Sequence, residues 1–458
     1  MTGLAFLAIT ILLAAGFVFG RARARSLRAQ GTALHSRPLY HGVFVAVSAG
    51  VPAFVLLVLW LLFQDRLVET FLAMSLPEAE VADLSPAERG LLVSEIRQVA
   101  EGRIFREPSP AVRAAAARLN SWQAIAEWAQ LVAIVVVAML GLVLAASRIG
   151  SAFRARTQVE RSMTVFMLFC SLVAILTTLG IIGSLTYEAS LFFARVPATE
   201  FFFGLNWEPQ IPIREGQVAG AGAFGAVPVF LGTLLISAIA LAVAIPVGLY
   251  SAIYLREYAG GRLRAFVKPL LEILAGVPTV VYGFFAVLIV APALRSLATD
   301  LGIAMSANAA LIAGGVMGIM LIPFISSLSD DALNAVPRAM RDGSLALGAT
   351  KGETIRRVLL PSALPGIMGG VLLAASRAIG ETMIVVMAAG LIATLTINPL
   401  DSVTTVTVQI VTLLIGDTEF DNPKTLAAFA LGLVLFVATL LLNILALRIV
   451  QKYREAYE

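Results

Sequence analysis

The run VPVFLGTLLISAIALAVAIPVGLYSAIY, residues 227–254, contains 28 residues and no charged side chain. As an α-helix this run would extend about 42 Å, since each residue adds about 1.5 Å. The hydrocarbon core of a bilayer is about 30 Å thick, so the run is long enough to cross it. Residues 227–254 therefore predict a transmembrane helix and place the chain in a membrane.

The composition of the whole chain agrees with a membrane protein. Of its 458 residues 59% are hydrophobic and only 14% are charged, whereas about 25% of the residues of a soluble domain are charged. Cys170 is the single cysteine, which excludes an internal disulfide framework or a cysteine metal site. The net charge of +4 is interpreted as arginine placed at one membrane face, not as a nucleic-acid surface.

Nine apolar runs are long enough to be spans, and together they predict an all-α polytopic membrane protein. The runs are residues 3–20, 41–63, 123–147, 162–187, 227–254, 269–294, 307–328, 363–392 and 425–448. Arginines follow the first run and none precedes it, which favours a retained span with its N-terminus outside over a cleaved signal peptide.

The distribution of basic residues predicts the topology. Alternate loops, taken as cytoplasmic, carry 21 of the 33 Lys and Arg residues, and the opposite loops carry 11. Cytoplasmic loops are enriched in these residues, so we expect the N-terminus to be periplasmic and the C-terminus cytoplasmic in an inner membrane. The remaining basic residue is Arg377, which no loop contains.

The chain is expected to divide near residue 155. Residues 1–155 form an N-terminal membrane extension of three spans, with an external helical loop at 64–122. Residues 156–458 hold six spans with both ends inside and a cytoplasmic loop at 330–361.

Arg377 and Glu381 lie in the stretch ASRAIGETM, residues 375–383, inside the eighth apolar run. A charge at mid-bilayer is costly and is rarely left unpaired. The two residues have the i, i+4 spacing of a helical ion pair, roughly 20 Å along the helix from residue 364. Either the pair only locks the helix bundle, or the guanidinium binds an anion in a translocation path while Glu381 holds it. Thr382 could add a hydroxyl to that path or bond its own backbone.

The sixth run contains a second acid and a helix-breaking sequence. Glu272 lies one turn from Lys268, which favours a surface ion pair of these two residues. The motif GVPTVVYG, residues 276–283, has one proline and two glycines that could interrupt the helix and expose its backbone to an anion. Thr279 and Tyr282 are therefore candidate path residues.

The loop at 330–361 predicts two short helices. Pro337 can open the first, Gly348 can end it in the left-handed conformation, and Pro361 starts the next span. The apolar face of the first helix is flanked by basic residues. It could lie on the membrane surface or dock in a groove of a cytoplasmic partner.

This loop resembles the EAA loop of ABC-importer permeases, E-A-A-x3-G-x9-I-x-L-P. Its residues DGSLALG and VLLP keep the spacing, although Asp342, Gly343 and Ser344 replace Glu-Ala-Ala and Val358 replaces Ile. The resemblance implies a six-helix permease core of type I, the MetI-like fold, whose loop inserts into an ATPase subunit. The residues implied for that coupling are Asp342, Gly343, Ser344, Leu345, Gly348, Leu360 and Pro361.

Three further stretches resemble the phosphate-transport permeases, and PstC more than PstA. They are FLGTLLISAIALAVAIPVGLYSAIYLREYA, LEILAGVPTVVYGFF and RAIGETMIVVMAAG, and the resemblance covers residues 160–455. It implies a transport subunit without enzyme activity, with Arg377 and Glu381 in the phosphate path. The implied partners are a PstA-like permease, a PstB-like ATPase dimer and a periplasmic PstS-like phosphate-binding protein.

No G-x-x-x-x-G-K-[ST] motif occurs in the sequence, so no cofactor is expected on this chain, with ATP and magnesium on the ATPase. No metal-binding cluster is expected either. Three alternatives stay open: a permease for another oxyanion or small solute, an ATP-independent anion channel or secondary carrier, and a membrane sensor. A neutral solute would not need Arg377 and Glu381, and a carrier would not need the loop at 330–361.

Overall fold

The computed structural model describes residues 2–75, 86–103, 108–210, 222–415 and 422–454, and these are almost wholly helical. Besides helices and loops they contain a pair of two-residue antiparallel strands, β1 (Trp207–Glu208) and β2 (Ala223–Phe224). Nine helical stretches in these ranges are long and apolar enough to cross a membrane, which confirms the all-α polytopic prediction. They are Gly3–Ala29, Pro38–Gln64, Pro110–Ser147, Ala155–Arg195, Val227–Tyr258, Thr279–Asp300, Ala310–Ala335, Lys351–Ile379 and Pro423–Lys452.

The contacts within the chain divide it into two units, Met1–Ile175 and Leu176–Glu458. The division falls inside one long helix, Ala155–Arg195. The boundary at 155 expected from the sequence coincides with the first residue of that helix.

The first unit contains four helices before this long one. They are α1 (Thr2–Ala29), α2 (Pro38–Ser75), α3 (Pro86–Ala100) and α4 (Pro110–Ser147). Leu57 and Ile134 belong to the core that α2 and α4 share in the membrane. Both helices continue past their apolar parts, and α3 packs there through the buried Ile96. The described part of 64–122 is thus largely helical; residues 76–85 and 104–107 lie outside the described residues.

The helices that follow belong to the second unit, apart from the first part of α5. In chain order they are α5 (Ala155–Arg195), α6 (Ala198–Phe203), α7 (Val227–Ile253), α8 (Gly261–Ala275), α9 (Thr279–Phe285), α10 (Ala291–Asp300), α11 (Ala310–Ala335), α12 (Arg338–Ala346), α13 (Lys351–Thr354), α14 (Leu360–Ile379), α15 (Met383–Ala388), α16 (Val406–Leu414) and α17 (Pro423–Arg454). Three π-helical segments continue these helices. π1 (Tyr254–Tyr258) extends the end of α7, whereas π2 (Ala286–Val290) joins α9 to α10 and π3 (Ile355–Leu359) joins α13 to α14 without a break.

The core of the second unit lies where α7 packs against α11. Ile236 and Ala240 of α7 are buried with Met317 and Leu321 of α11. The two backbones approach closely at Gly318, which has no side chain. A Cβ added there would lie 2.9 Å from the Ala240 carbonyl oxygen. Membrane helices pack this closely where small residues lie between them.

The sixth span differs from its predicted limits of 269–294. It begins at Thr279 and runs through α9, π2 and α10 to Asp300. Residues 261–275 form the separate helix α8, which buries none of its residues. Gly276, Val277 and Pro278 interrupt the helix between α8 and α9, because proline lacks the N–H that would continue a helix.

The eighth span also differs from its predicted limits of 363–392. Its helix begins at Lys351, since α13, π3 and α14 are continuous and Pro361 lies only in the first turn of α14. It ends at Ile379, where Gly380 caps α14. The six-residue α15 and an irregular stretch at 389–405 follow. Irregular backbone at membrane depth is tolerated where protein buries it or where it lines a water-filled cavity.

Gly232 marks the point where α7 approaches this irregular stretch. A Cβ added there would lie 2.1 Å from the carbonyl oxygen of Thr404, whereas one added at Gly315 of α11 meets nothing within 4 Å. We expect Gly232→Ala to destabilise the protein by about 1–3 kcal/mol through overpacking. Gly315→Ala is expected to be neutral or stabilising. Thermal unfolding in detergent measures both, and equal midpoints would contradict the close approach.

Candidate functional site

Arg377 lies in the last turn of α14, and its side chain is exposed in this chain. Within the described ranges the guanidinium has neither an ion-pair nor a hydrogen-bond partner. The last turn is a favourable place for a cation because the carbonyl end of a helix carries partial negative charge. The helix starts earlier than predicted and ends at Ile379. Arg377 therefore lies near its end and not at its middle, roughly 30 Å along the axis from Arg357.

Glu381 does not pair with Arg377, and the predicted i, i+4 ion pair is wrong. The helix ends at Ile379, so the two residues no longer share one helical face. The Glu381 Oε1 atom instead accepts hydrogen bonds from the backbone N–H groups of Thr382, Met383 and Ile384, at 3.2, 3.1 and 3.5 Å. The carboxylate therefore caps the start of α15, where partial positive charge favours an anion.

Thr382 uses its hydroxyl locally. Its Oγ1 donates to the Gly380 carbonyl oxygen at 3.3 Å, which is the backbone interaction that the sequence left open as an alternative. Glu381 and Thr382 together fix the turn between α14 and α15. The conformation of residues 380–382 therefore determines how the chain continues from the end of α14, which carries Arg377, towards the irregular stretch.

Thr279 and Tyr282 lie on α9, which packs against α15. Gly283 allows this contact, because an added Cβ would lie 2.6 Å from the Met387 sulfur. Tyr282 is buried, and its hydroxyl donates to the Leu274 carbonyl oxygen of α8 at 2.8 Å. That bond bridges the break between α8 and α9. The Thr279 side chain is half-buried at the first residue of α9.

Sequence reasoning did not identify a buried polar network on α16. Thr407 Oγ1 donates to the Glu381 carbonyl oxygen at 2.9 Å. Gln409 donates to the Leu391 carbonyl oxygen at 2.7 Å and accepts from the Trp207 indole N–H at 2.8 Å. The two donated bonds satisfy one carbonyl group before α15 and one in the irregular stretch, which apolar side chains could not do. The run VTTVTVQIV, residues 403–411, has four polar residues in an apolar context and was the available indication.

Lys268 does not pair with Glu272 as predicted. Its Nζ lies 2.9 Å from Oδ2 of Asp330 on α11, and Arg264 lies 3.1 Å from both Asp330 oxygens. Glu272 is exposed and has no ion-pair partner among the described residues. Asp330 is buried and therefore offers the basic side chains of α8 a desolvated partner, whereas Glu272 is exposed to solvent. These four charged residues line a cavity of about 260 Å³ between α8 and α11.

The first predicted helix of the loop at 330–361 is present, whereas the predicted second helix is the continuous start of the eighth span. Pro337 precedes α12, and Gly348 ends that stretch with a φ of +85°. Asp342, Gly343 and Leu345 are exposed on α12, and Leu347 is 91% exposed. The remaining predicted coupling residues face the following helix or begin it: Ser344 Oγ lies 3.0 Å from Thr354 Oγ1, while Leu360 and Pro361 begin α14.

Two family models match the chain. Residues 6–177 match a family described as "Phosphate ATP-binding cassette transporter", and residues 244–455 match one described as "Binding-protein-dependent transport system inner membrane component". Both descriptions name transport systems, and the second names an inner membrane component, in agreement with the helical fold.

Curated relatives extend this similarity. The phosphate transport system permease protein PstC 1 of Mycobacterium bovis is 34% identical over 56% of this chain and 83% of that protein. The probable ABC transporter permease YqgH of Bacillus subtilis is 32% identical over 60% and 83%. The PstC of Haemophilus influenzae is 30% identical over 64% and 92%.

Proposed function

Because this chain belongs to the family of PstC phosphate transport permeases, we propose that it forms half of the path by which an ATP-driven importer carries inorganic phosphate across the inner membrane. The chain is a multi-pass membrane protein and a transport subunit rather than an enzyme. ATP and magnesium would bind to the ATPase partner.

The observation that supports this proposal most directly concerns Arg377. Its guanidinium has no ion-pair or hydrogen-bond partner within the described ranges. A guanidinium presents several N–H donors in a planar fork that matches two oxygens of one phosphate. Glu381 is occupied by three backbone N–H groups, so no described carboxylate neutralises Arg377. The cation is thus available to an anion that reaches the end of α14.

The other path residues are proposed to shape the backbone around Arg377. Glu381 and Thr382 fix the turn that follows α14, and Tyr282 fixes the junction of α8 with α9. Thr279 is the one of these side chains with no hydrogen-bond partner within the described ranges. Its hydroxyl is proposed to meet the anion directly.

The loop at 330–361 is proposed to dock on a PstB-like ATPase dimer. A PstA-like permease would supply the other half of the path, and a PstS-like protein would deliver phosphate from the periplasm. In this arrangement the C-terminus is cytoplasmic and the N-terminus periplasmic. The exposed Leu345 of α12 and Leu347 directly after it support an apolar contact, and Arg338, Arg356 and Arg357 are exposed in the same loop.

Uptake of radiolabelled phosphate by cells that express the four subunits tests this function. We expect phosphate uptake to require ATP and to be inhibited only weakly by excess sulfate. Stronger competition by sulfate would favour another oxyanion as the substrate. Transport by the purified chain alone in liposomes would favour a channel or secondary carrier.

The N-terminal extension, residues 1–155, is proposed to lie outside the transport mechanism. Its removal takes only the first residue of α5 and leaves the five later spans. We therefore expect the truncated chain to keep most of its phosphate uptake at a matched amount in the membrane. If the truncated chain assembles with its partners but does not take up phosphate, the extension belongs to the mechanism.

A further inference from the structure

Three consecutive residues of π1, at the end of α7, contact three different elements. Arg256 donates to the Asn334 side chain near the end of α11. Glu257 forms an ion pair with Arg341 of α12. Lys351 of α13 lies with its Nζ 5.2 Å from the centre of the Tyr258 ring. A segment of five residues thus connects α7 with α11 and with both helices of the coupling loop.

Glu257 is the buried member of this group. Its side chain is 5% exposed, and that of Arg341 is 34% exposed. Loss of one partner of a buried ion pair leaves an uncompensated charge, although such a pair adds little stability relative to apolar residues. Stability alone is therefore a weak reason for the pair. Its geometry also fixes α12 to the end of α7, and π-helical turns occur frequently at functional positions.

Contacts continue from π1 towards the proposed path. α7 and α11 interlock, since an added Cβ at Gly248 would lie 2.9 Å from the Ile325 side chain. Asp330 of α11 binds Arg264 and Lys268 of α8. Tyr282 of α9 then binds the far end of α8. Packed helices and paired charges thus connect α12 with the helix that carries Thr279.

We propose that π1 is the junction that transmits movement of α12 to the transmembrane helices, and that Glu257 is its central positioning residue. The proposal rests on the proposed function in one respect, namely that α12 docks on an ATPase. When that subunit moves α12, the Glu257–Arg341 pair moves α7 with it. Without the pair, α12 would move while α7 stays.

Spin labels on α12 and α7 test this junction without reference to the solute. Met340→Cys and Tyr250→Cys place labels at exposed positions, in a Cys170→Ala background and in the complete complex. We expect the same distance between labels in the nucleotide-free and the vanadate-trapped wild type. We expect a changed or broadened distance after trapping in Glu257→Gln. A wild-type distance that changes on trapping, or an unchanged distance in Glu257→Gln, would overturn the proposal.

Phosphate moved per ATP hydrolysed is the second readout. Coupling free energies of 1–3 kcal/mol correspond to changes of 5–150-fold, so we expect Glu257→Gln to lower this ratio about 10-fold while the ATPase still co-purifies. The matched control is Glu272→Gln, an exposed acid of α8, which should keep the wild-type ratio.

If Glu257→Gln fails to assemble, the swap Glu257→Arg with Arg341→Glu should restore assembly and ratio. An assembled swap with a low ratio would contradict the junction, as would a wild-type ratio in Glu257→Gln. A wild-type complex that moves no phosphate but passes the label test would refute only the proposed substrate.

Discussion

Replacing Arg377 by glutamine is expected to lower phosphate uptake about 100-fold and to leave the amount of assembled complex unchanged. Hydrogen bonds to charged groups contribute about 1.5–3 kcal/mol each, and the guanidinium can give two to one phosphate. Assembly should survive because Arg377 has no ion-pair partner in the described part of the chain. Its removal therefore leaves no carboxylate unpaired.

Three companion variants separate the role of Arg377 from a general loss of charge. Arg377→Lys should restore little uptake, because lysine keeps the charge but not the planar fork. Arg295→Gln removes an exposed arginine of α10 and should transport normally. Glu381→Gln should have a smaller effect than Arg377→Gln, since its amide oxygen can still accept from the backbone of α15. The double variant Arg377→Gln with Glu381→Gln should stay inactive; near-normal uptake would show that the phosphate path needs neither charge.

Substitutions in the coupling loop are expected to produce the second largest loss. Gly348 has a φ of +85°, and a residue with a Cβ pays about 1–2 kcal/mol in that conformation. Gly348→Trp adds bulk beside the exposed Leu347 as well. We expect it to reduce the co-purified ATPase about tenfold, which corresponds to a loss of about 1.4 kcal/mol in the free energy of binding. Phosphate uptake should fall in parallel while the spans still insert.

A charge reversal and a glycine control accompany this variant. Asp342→Lys reverses an exposed charge on α12 and should also weaken docking. Gly260→Ala changes a glycine with a φ of −65° and open space around it, so it should leave docking unchanged. Unchanged co-purification and uptake in both loop variants would leave α12 as a helix on the membrane surface.

The sequence was sufficient to predict nine spans because each apolar run is long and the basic residues alternate between loops. The limits of the sixth span were wrong because α8 carries apolar residues on one face and therefore resembles a span in composition. The end of α14 at Ile379 was missed because no proline marks it. Glycine at 380 is tolerated inside membrane helices, and only the Glu381 cap reveals the break.

Arg377 could be identified from the sequence because it is the only basic residue that no loop contains. Its partner could not, since the i, i+4 rule assumes a helix that continues. The Glu257–Arg341 and Asp330–Lys268 pairs were also missed. Their members lie 84 and 62 residues apart, so only the folded chain brings them together.

The most direct test of Arg377 in the phosphate path uses the complete complex in proteoliposomes, with ATP hydrolysis and accumulation of radiolabelled phosphate measured together. The wild type should accumulate phosphate only when ATP and the binding protein are supplied. Arg377→Gln should still hydrolyse ATP, because the loop at 330–361 is intact, and should accumulate almost no phosphate. Accumulation by Arg377→Gln at the wild-type rate would contradict a phosphate path through Arg377.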